Sequence, residues 1–163
     1  MLLALISDTH DQTEPLKLAL ELLKPFNPGF YIHCGDVGGE EIIDLLAGLP
    51  CALVWGNTDW ERDSLKRYAQ DLHIDVCDNL CQLNLDGKHI AVTHGDDMSI
   101  IQKIMRDEKF DYLFTGHTHI PHDRRNGKLR WINPGALHRA RPKTCATLDL
   151  QSDQLQLIEL PRG

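Results

Sequence analysis

The sequence predicts an α/β fold, and three observations lead to that prediction. The first half alternates short apolar runs with helical patterns in the order β-α-β-α-β. The second half holds two apolar runs joined by Asp86-Gly87, a dipeptide typical of a hairpin turn with positive φ at both positions. Hydrophobic residues make up 42% of the 163 residues, which suits a well-packed core. Two packed sheets flanked by helices would satisfy this pattern, and so would one doubly wound sheet.

The first half contains three predicted strands and two predicted helices. Residues 1–7 are an almost continuous apolar run, which is typical of a buried strand. Thr13 as N-cap and Pro15 in the first turn predict a helix that ends near residues 25–29. The next elements are a strand at Phe30–Cys34, a helix at Glu40–Ala47 and a strand at Cys51–Trp55. This order predicts right-handed crossovers and a parallel core.

The second half is predicted to be richer in hairpins. Its elements are strands at Leu80–Leu85 and His89–Thr93, a helix at Ser99–Asp107, a strand at Tyr112–Thr115, and further strands between Leu129 and Leu160 with a turn near Gln151–Asp153. Because no repeat, low-complexity segment or linker divides the chain, we expect a single domain over residues 1–163.

Composition excludes several classes of function. The net charge of −7 and the pI near 5.6 argue against general nucleic-acid binding. No apolar run approaches the ~18 residues needed to cross a bilayer, and the start MLLALISDTH predicts a strand rather than a signal peptide. The five cysteines are predicted to be reduced core thiols: Cys34, Cys51, Cys77, Cys81 and Cys145. We therefore expect a cytoplasmic protein without membrane association.

Polar side chains follow five consecutive predicted strands, at the point where each strand ends. Because the carboxyl ends of parallel strands meet at one edge of a sheet, we expect these side chains to converge. They are Asp8, His10, Asp36, Asn57, His94, His117 and His119.

The types of these side chains predict a metal centre. Carboxylates, imidazoles and one amide, without a thiolate, suit manganese, with nickel, iron, cobalt or zinc as alternatives. Seven ligands are too many for one ion with an open position, but they suit two divalent ions roughly 3.5–4 Å apart that share a carboxylate. Asp36 is the natural bridge, because it is the lone carboxylate at the end of a central strand.

At these residues the chain resembles the calcineurin-like metallophosphoesterase superfamily, whose pattern is D-x-H, G-D, G-N, H and G-H-x-H. The match runs in order through residues 8–119. Asn133-Pro134-Gly135 is similar to the N-P-G turn of the small bacterial and archaeal phosphodiesterases of that superfamily. The resemblance implies a four-layer α/β/β/α sandwich with two mixed sheets, and a dinuclear-metal-dependent phosphoesterase that hydrolyses phosphodiester bonds.

The resemblance also implies a role for each ligand. One ion would take Asp8, His10, Asp36 and His119, and the other would take Asp36, Asn57, His94 and His117. Asp36, Asn57 and His94 are then the catalytic residues, and a hydroxide bridging the ions would attack phosphorus. The partner would be a small phosphate-ester substrate, and the resemblance leaves room for a homodimer.

One position departs from the superfamily pattern. Many members carry His directly after the Asn of G-N, where it can protonate the leaving group, whereas this chain has Thr58. The small phosphodiesterase branch commonly lacks this His too, so we expect a diester or an ester with a good leaving group. Two alternatives stay open: a phosphomonoesterase acting on a small metabolite or nucleotide, and a non-catalytic metal-binding scaffold such as the retromer subunit. The seven intact ligand positions count against the scaffold.

Four further residues carry separate hypotheses. His33 either orients a ligand or is a hydrogen-bonded strand histidine. His122 and His138 lie near the last two motifs and are candidates to reach the substrate. Asp59 either caps the helix that follows it or helps to hold Asn57 or a metal-bound water, and the cap is the favoured interpretation.

Overall fold

The structure is a computed structural model that describes residues 1–161. Two mixed sheets form the centre of the protein. The first sheet contains β1 (Leu2–Ile6), β2 (Phe30–His33), β3 (Cys51–Val54), β4 (Asp75–Cys77), β10 (Thr144–Asp149) and β11 (Gln154–Glu159). The second contains β5 (Cys81–Leu85), β6 (Lys88–Val92), β7 (Tyr112–Phe114), β8 (His122–Asn126) and β9 (Leu129–Asn133). Their strand orders are β11-β10-β1-β2-β3-β4 and β5-β6-β7-β9-β8. Strands β1 to β4 run parallel, as do β6, β7 and β9.

The helices connect these strands. They are α1 (Thr13–Leu23), α2 (Glu40–Leu46), α3 (Arg62–Asp71) and α4 (Met98–Arg106), with a 3-10 turn at Lys24–Phe26. Within residues 1–161 no helix has the length and apolar character needed to span a membrane.

Alternating side chains divide the core into three apolar layers. In β1, Leu3 and Leu5 pack between the two sheets, whereas Ala4 and Ile6 pack against the layer of α1, α2 and α3. In β6, Ala91 faces α4 on the outer side of the second sheet. The layers are therefore helix, sheet, sheet, helix, and the predicted four-layer sandwich is confirmed.

The hairpin prediction is confirmed at its turn. Asp86 and Gly87 have φ angles of 52° and 74°, and the flanking strands β5 and β6 pair antiparallel. Both turn residues therefore adopt the left-handed backbone that the Asp-Gly pair favours.

Some local predictions are wrong or incomplete. The residue before α1 is Gln12, and Thr13 already lies inside the helix, so Thr13 is not the N-cap. Strand β8 escapes prediction because its sequence HDRRN lies exposed at a sheet edge and lacks an apolar face. Helix α3 is difficult to predict for a similar reason, since it buries only Leu65 and Ala69.

The prediction of five reduced thiols is wrong for two of them. Cys77 at the end of β4 and Cys81 at the start of β5 form a disulfide, with their Cα atoms 5.3 Å apart. The chain turns sharply between the edge strands of the two sheets, and this turn brings the two side chains together. Cys34, Cys51 and Cys145 are buried free thiols, as predicted.

Candidate metal centre

The ends of five strands from the two sheets meet at one edge of the sandwich. Asp36, after β2, lies at the centre of this meeting point: its Oδ2 atom is 3.4 Å from His10 Nε2 and 3.4 Å from His94 Nε2. His10 follows β1 in the first sheet, and His94 follows β6 in the second. Each sheet therefore contributes an imidazole to the surroundings of one carboxylate oxygen.

The first group of ligand atoms surrounds Asp8. His119 Nε2 lies 3.1 Å from Asp8 Oδ1 and 3.4 Å from His10 Nε2. Asp8, His10 and His119 each offer an atom within 4.8 Å of the others. Asp8 Oδ1 is buried, yet it accepts no hydrogen bond from the described residues.

The second group surrounds Asn57. Its Oδ1 atom lies 3.1 Å from His94 Nε2 and 3.0 Å from His117 Nδ1. Asp8, Asp36 and His94 also offer atoms within 4.8 Å of one another, so the two groups are continuous. All seven residues predicted from the sequence therefore come together in one cluster.

The backbone is unusual at this edge. Five of the seven residues have positive φ angles: Asp8 (56°), His10 (46°), Asp36 (52°), His117 (65°) and His119 (59°). Non-glycine residues seldom adopt this conformation, which costs of order 1–3 kcal/mol at each position. Such strain persists only where surrounding contacts enforce it, and it is concentrated at functional sites.

Two glycines allow the strand ends to approach each other. A methyl group on Gly56 would overlap the Asp36 carboxylate and its backbone nitrogen, and one on Gly116 would overlap Ser7 and Asp8. A side chain at either position would therefore displace a carboxylate of the cluster.

Hydrogen bonds orient the ligands from behind. His94 Nδ1 lies 2.9 Å from the Cys34 carbonyl oxygen, which directs Nε2 towards Asp36 when Nδ1 carries the proton. Ser7 Oγ donates to Asp8 Oδ2 at 2.6 Å, and the Thr58 backbone N–H donates to Asp36 Oδ1 at 2.9 Å. One oxygen of each carboxylate is thus occupied, while the other faces the cluster.

Of the two alternatives for Asp59, the helix cap is wrong. Helix α3 begins after Glu61, without a side-chain cap. The buried Asp59 carboxylate instead accepts three backbone N–H groups, from Val37 at 3.2 Å, Gly38 at 3.0 Å and Gly56 at 2.7 Å. Asp59 therefore ties the loop after β2 to the loop after β3, which carry Asp36 and Asn57.

His33 connects the first two loops. It is fully buried, its Nε2 lies 2.9 Å from Thr9 Oγ1, and its Nδ1 accepts the Gly35 N–H at 3.3 Å. Because Thr9 lies between Asp8 and His10, His33 supports the loop that carries both ligands. Burial lowers the pKa of His33 to about 3, so the folded protein holds this imidazole neutral.

Asn133 is a supporting residue that the sequence argument assigned only to a turn. Its Nδ2 donates to the Gly116 carbonyl at 2.7 Å, and its Oδ1 accepts the Gly135 N–H at 2.8 Å. The Asn-Pro-Gly turn therefore braces the loop that carries His117 and His119. The sequence offered one indication of this role, because Asn133 follows an apolar strand and lies two residues before a glycine.

The two remaining histidine candidates have different surroundings. The His138 ring centroid lies 5.5 Å from that of His10, at the margin of the cluster. His122 is on β8 and packs edge-on against Trp131, with ring centroids 5.0 Å apart. The structure therefore brings His138, but not His122, next to a predicted ligand.

The pKa values of the Asp8 and Asp36 carboxylates are shifted in opposite directions. Burial is the main influence on Asp8 and raises its pKa. Burial would also raise the pKa of Asp36, but the hydrogen bond and charge of His94 and the Thr58 N–H hold that pKa well below its usual range. Burial alone would lower the pKa of His94, yet its contacts with Asp36 raise that pKa. The site therefore stabilises a positive charge beside Asp36.

Comparison with known proteins identifies a matching family model and several similar proteins. The family model of the calcineurin-like phosphoesterase superfamily domain matches residues 1–153. A phosphodiesterase of Methanocaldococcus jannaschii is 28% identical over 138 residues, covering 83% of this chain and 83% of that protein.

Two solved structures resemble this fold. The structure of an archaeal phosphodiesterase has a TM-score of 0.91 at 26% identity and covers 98% of this chain and 100% of that chain. Vps29 of Entamoeba histolytica, complexed with zinc, has a TM-score of 0.71 at 20% identity and covers 98% of this chain and 91% of that chain. The likeness to Vps29 concerns the fold alone.

We predict that Gly56→Ala weakens metal binding, because the added methyl group would push Asp36 out of the cluster. Metal content after dialysis against a limiting metal concentration measures the effect, and we expect a loss of roughly 10–100-fold in affinity. Gly29→Ala is the control, since its methyl group would meet only ordinary contacts, the nearest being Met1 Cγ at 3.4 Å. Equal metal affinity in the two variants would contradict the prediction.

We predict that His33 makes stability depend on pH. The unfolded histidine takes up a proton below its ordinary pKa of 6.5, whereas the folded one stays neutral down to about pH 3. Since the unfolded state binds more protons, the free energy of unfolding falls as the pH drops from 6.5 towards 3. Denaturant unfolding of metal-stripped protein across this range should show a shallower decline for His33→Asn. Parallel curves for the two proteins would refute this assignment.

Proposed function

Because the chain belongs to the calcineurin-like phosphoesterase superfamily, we propose that it is a phosphodiesterase with a dinuclear metal centre. The observation that carries the proposal is the position of Asp36 Oδ2, 3.4 Å from an imidazole nitrogen on each side. A carboxylate between two groups of nitrogen and oxygen ligands is the arrangement that a pair of ions requires. The proposal treats residues 1–163 as one metallophosphoesterase domain.

The donor atoms fit divalent cations. Asp8 Oδ1 is buried and accepts no hydrogen bond from the described residues, and a buried anionic oxygen is costly unless a cation or proton lies beside it. His10 Nε2 and His119 Nε2 lie 3.4 Å apart, so both nitrogens could bind one ion when each ring carries its proton on Nδ1. Oxygen and imidazole donors without thiolate suit manganese, with nickel, iron, cobalt or zinc as alternatives.

The geometry supports one division of the ligands. One ion would be held by Asp8, His10, Asp36 and His119, and the other by Asp36, Asn57, His94 and His117. When bound, the ions would supply an activated water and neutralise charge on the phosphoryl oxygens.

The chain's own residues would prepare the site for this chemistry. Asp36 would contribute to both positions, because its Oδ1 is held by the Thr58 N–H while Oδ2 faces the imidazoles of His10 and His94. His94 would present Nε2 in one orientation, because the Cys34 carbonyl holds Nδ1. Asn57, the most exposed of the three, would bring an amide oxygen to the open side of the cluster.

A diester is the substrate class that we favour. Thr58 occupies the position beside His10, with Oγ1 3.4 Å from His10 Nδ1, and a hydroxyl group is a poor proton donor at neutral pH. The similarity to a Methanocaldococcus jannaschii phosphodiesterase supports the same choice. The alternative is a phosphomonoesterase, which the same ligands would serve.

We predict that removing the metal abolishes hydrolysis of bis-p-nitrophenyl phosphate and that adding back Mn²⁺, Ni²⁺ or Zn²⁺ restores it. Asp36→Ala and His94→Ala should each lower kcat/KM by at least roughly 10²–10³-fold, because each removes a ligand atom from the cluster. Asp71→Ala and His89→Ala are matched controls, since both side chains are exposed. Full metal uptake without turnover by any added metal would instead favour a scaffold.

The same assay tests the substrate class. We expect kcat/KM for the diester to exceed that for p-nitrophenyl phosphate at saturating metal. A strong preference for the monoester would overturn the diester assignment and leave the metal centre intact.

A further inference from the structure

His138 lies beside the metal centre without belonging to the predicted ligand set. Its ring centroid is 5.5 Å from that of His10, with the ring planes inclined at 57°. The next residue, Arg139, has its carbonyl oxygen 3.5 Å from His119 Nδ1. The segment at residues 138–139 therefore runs along the side of the cluster formed by His10 and His119.

The fold holds this segment in place. Ala136 and Leu137 are fully buried, and the Leu137 N–H donates to the Ser7 carbonyl at 3.1 Å, one residue before Asp8. The Thr144 N–H donates to the Ala136 carbonyl at 3.1 Å, which ties the segment to β10. These two backbone hydrogen bonds, to the residue before Asp8 and to β10, therefore hold His138 close to His10.

The imidazole of His138 is available to a ligand. Within residues 1–161 neither of its ring nitrogens has a hydrogen-bonding partner, and the side chain is half-buried. An imidazole carries at least one N–H in either protonation state, so it can donate a hydrogen bond whether neutral or charged.

The position of this donor matches one oxygen of a bound ester. Asp8, Asp36 and His94 are buried, whereas His138 is half-buried, so a substituent on a bound phosphoryl group would extend away from these three residues. We place the substituent that leaves on the margin of the cluster where His138 lies beside His10. In hydrolysis the water oxygen bonds to phosphorus, the P–O ester bond breaks with its electron pair on the leaving oxygen, and a proton released by that water reaches this oxygen through solvent. Negative charge therefore develops at the margin.

We infer that His138 is a catalytic residue whose ring N–H donates a hydrogen bond to the leaving-group oxygen of the ester. This inference rests on the proposed phosphodiesterase function. A donor directed at developing charge stabilises the transition state more than the ground state, and removing one typically costs roughly 10²–10³-fold in kcat. The benefit grows as the leaving group becomes more basic, because more charge must then be stabilised.

A purely structural role would have different consequences. If His138 only positioned the His10 ring, its removal would weaken metal binding and slow all esters by the same factor. A hydrogen bond to the leaving oxygen instead predicts unchanged metal binding and a selective loss on esters with poor leaving groups.

The experiment compares His138→Ala and His138→Gln with the parent protein on bis-p-nitrophenyl phosphate and on diphenyl phosphate. We expect His138→Ala to lower kcat by roughly 10²–10³-fold on the phenyl ester and by less than about tenfold on the nitrophenyl ester. His138→Gln should recover part of the loss, because its amide keeps an N–H at a similar reach. His89→Ala, an exposed histidine on β6, is the control.

Two binding measurements complete the test. Metal content should be unchanged in both variants, and calorimetry should show that the metal-loaded His138→Ala protein binds inorganic phosphate about five- to tenfold more weakly, since one donor is lost. Equal losses on the two esters, reduced metal uptake or unchanged phosphate affinity would each overturn the inference. If the parent protein hydrolysed neither diester with any metal, the phosphodiesterase proposal itself would fail, which is a distinguishable result.

Discussion

The placement of Asp36 Oδ2 between imidazoles from two sheets is the constraint on which the rest of the site depends. Its two 3.4 Å contacts exist only if the loop after β2 meets the loops after β1 and β6 in one register. The Asp59 carboxylate holds the loop after β2 against the loop after β3 by accepting three of their backbone N–H groups. Gly56 permits it, because any side chain there would occupy the space of Asp36. Asp59 and Gly56, which are not predicted ligands, therefore help to determine whether the ligand side chains come together.

The left-handed backbone of five cluster residues has a cost that the supporting contacts must offset. Asp59 accepts three backbone N–H groups, Ser7 donates to Asp8, and the Asn133 side chain makes three further hydrogen bonds. Each is worth about 1 kcal/mol, and bonds to charged groups are stronger. Aspartate and histidine are among the side chains that tolerate positive φ best. The same residue types that bind cations are thus also the ones that this backbone accommodates with the least strain.

The seven cluster residues could be predicted because each follows an apolar run, and strand ends of parallel sheets meet at one edge. The sandwich itself needed the family resemblance, since the periodicity of β1 to β3 is the same in one sheet or two. The partners of Asp59 and Asn133 could not be predicted, because they are backbone groups brought near by folding rather than by sequence. The Cys77–Cys81 bond was missed for the same reason: the turn that joins the edges of two sheets leaves no periodic pattern.

The distribution of ligands between the sheets makes the site sensitive to packing far from it. The first sheet supplies both carboxylates, Asp8 and Asp36, and the second supplies His94, His117 and His119. The apolar layer between the sheets, with Leu5, Ile32 and Phe114 fully buried, contributes to the distance across which they meet. A close-packed interior transmits a change in volume to its surroundings, because it holds few voids that could absorb the change. A substitution in this layer that moved one sheet by a fraction of an ångström would therefore alter the separation of the imidazoles from Asp36 without touching a single ligand.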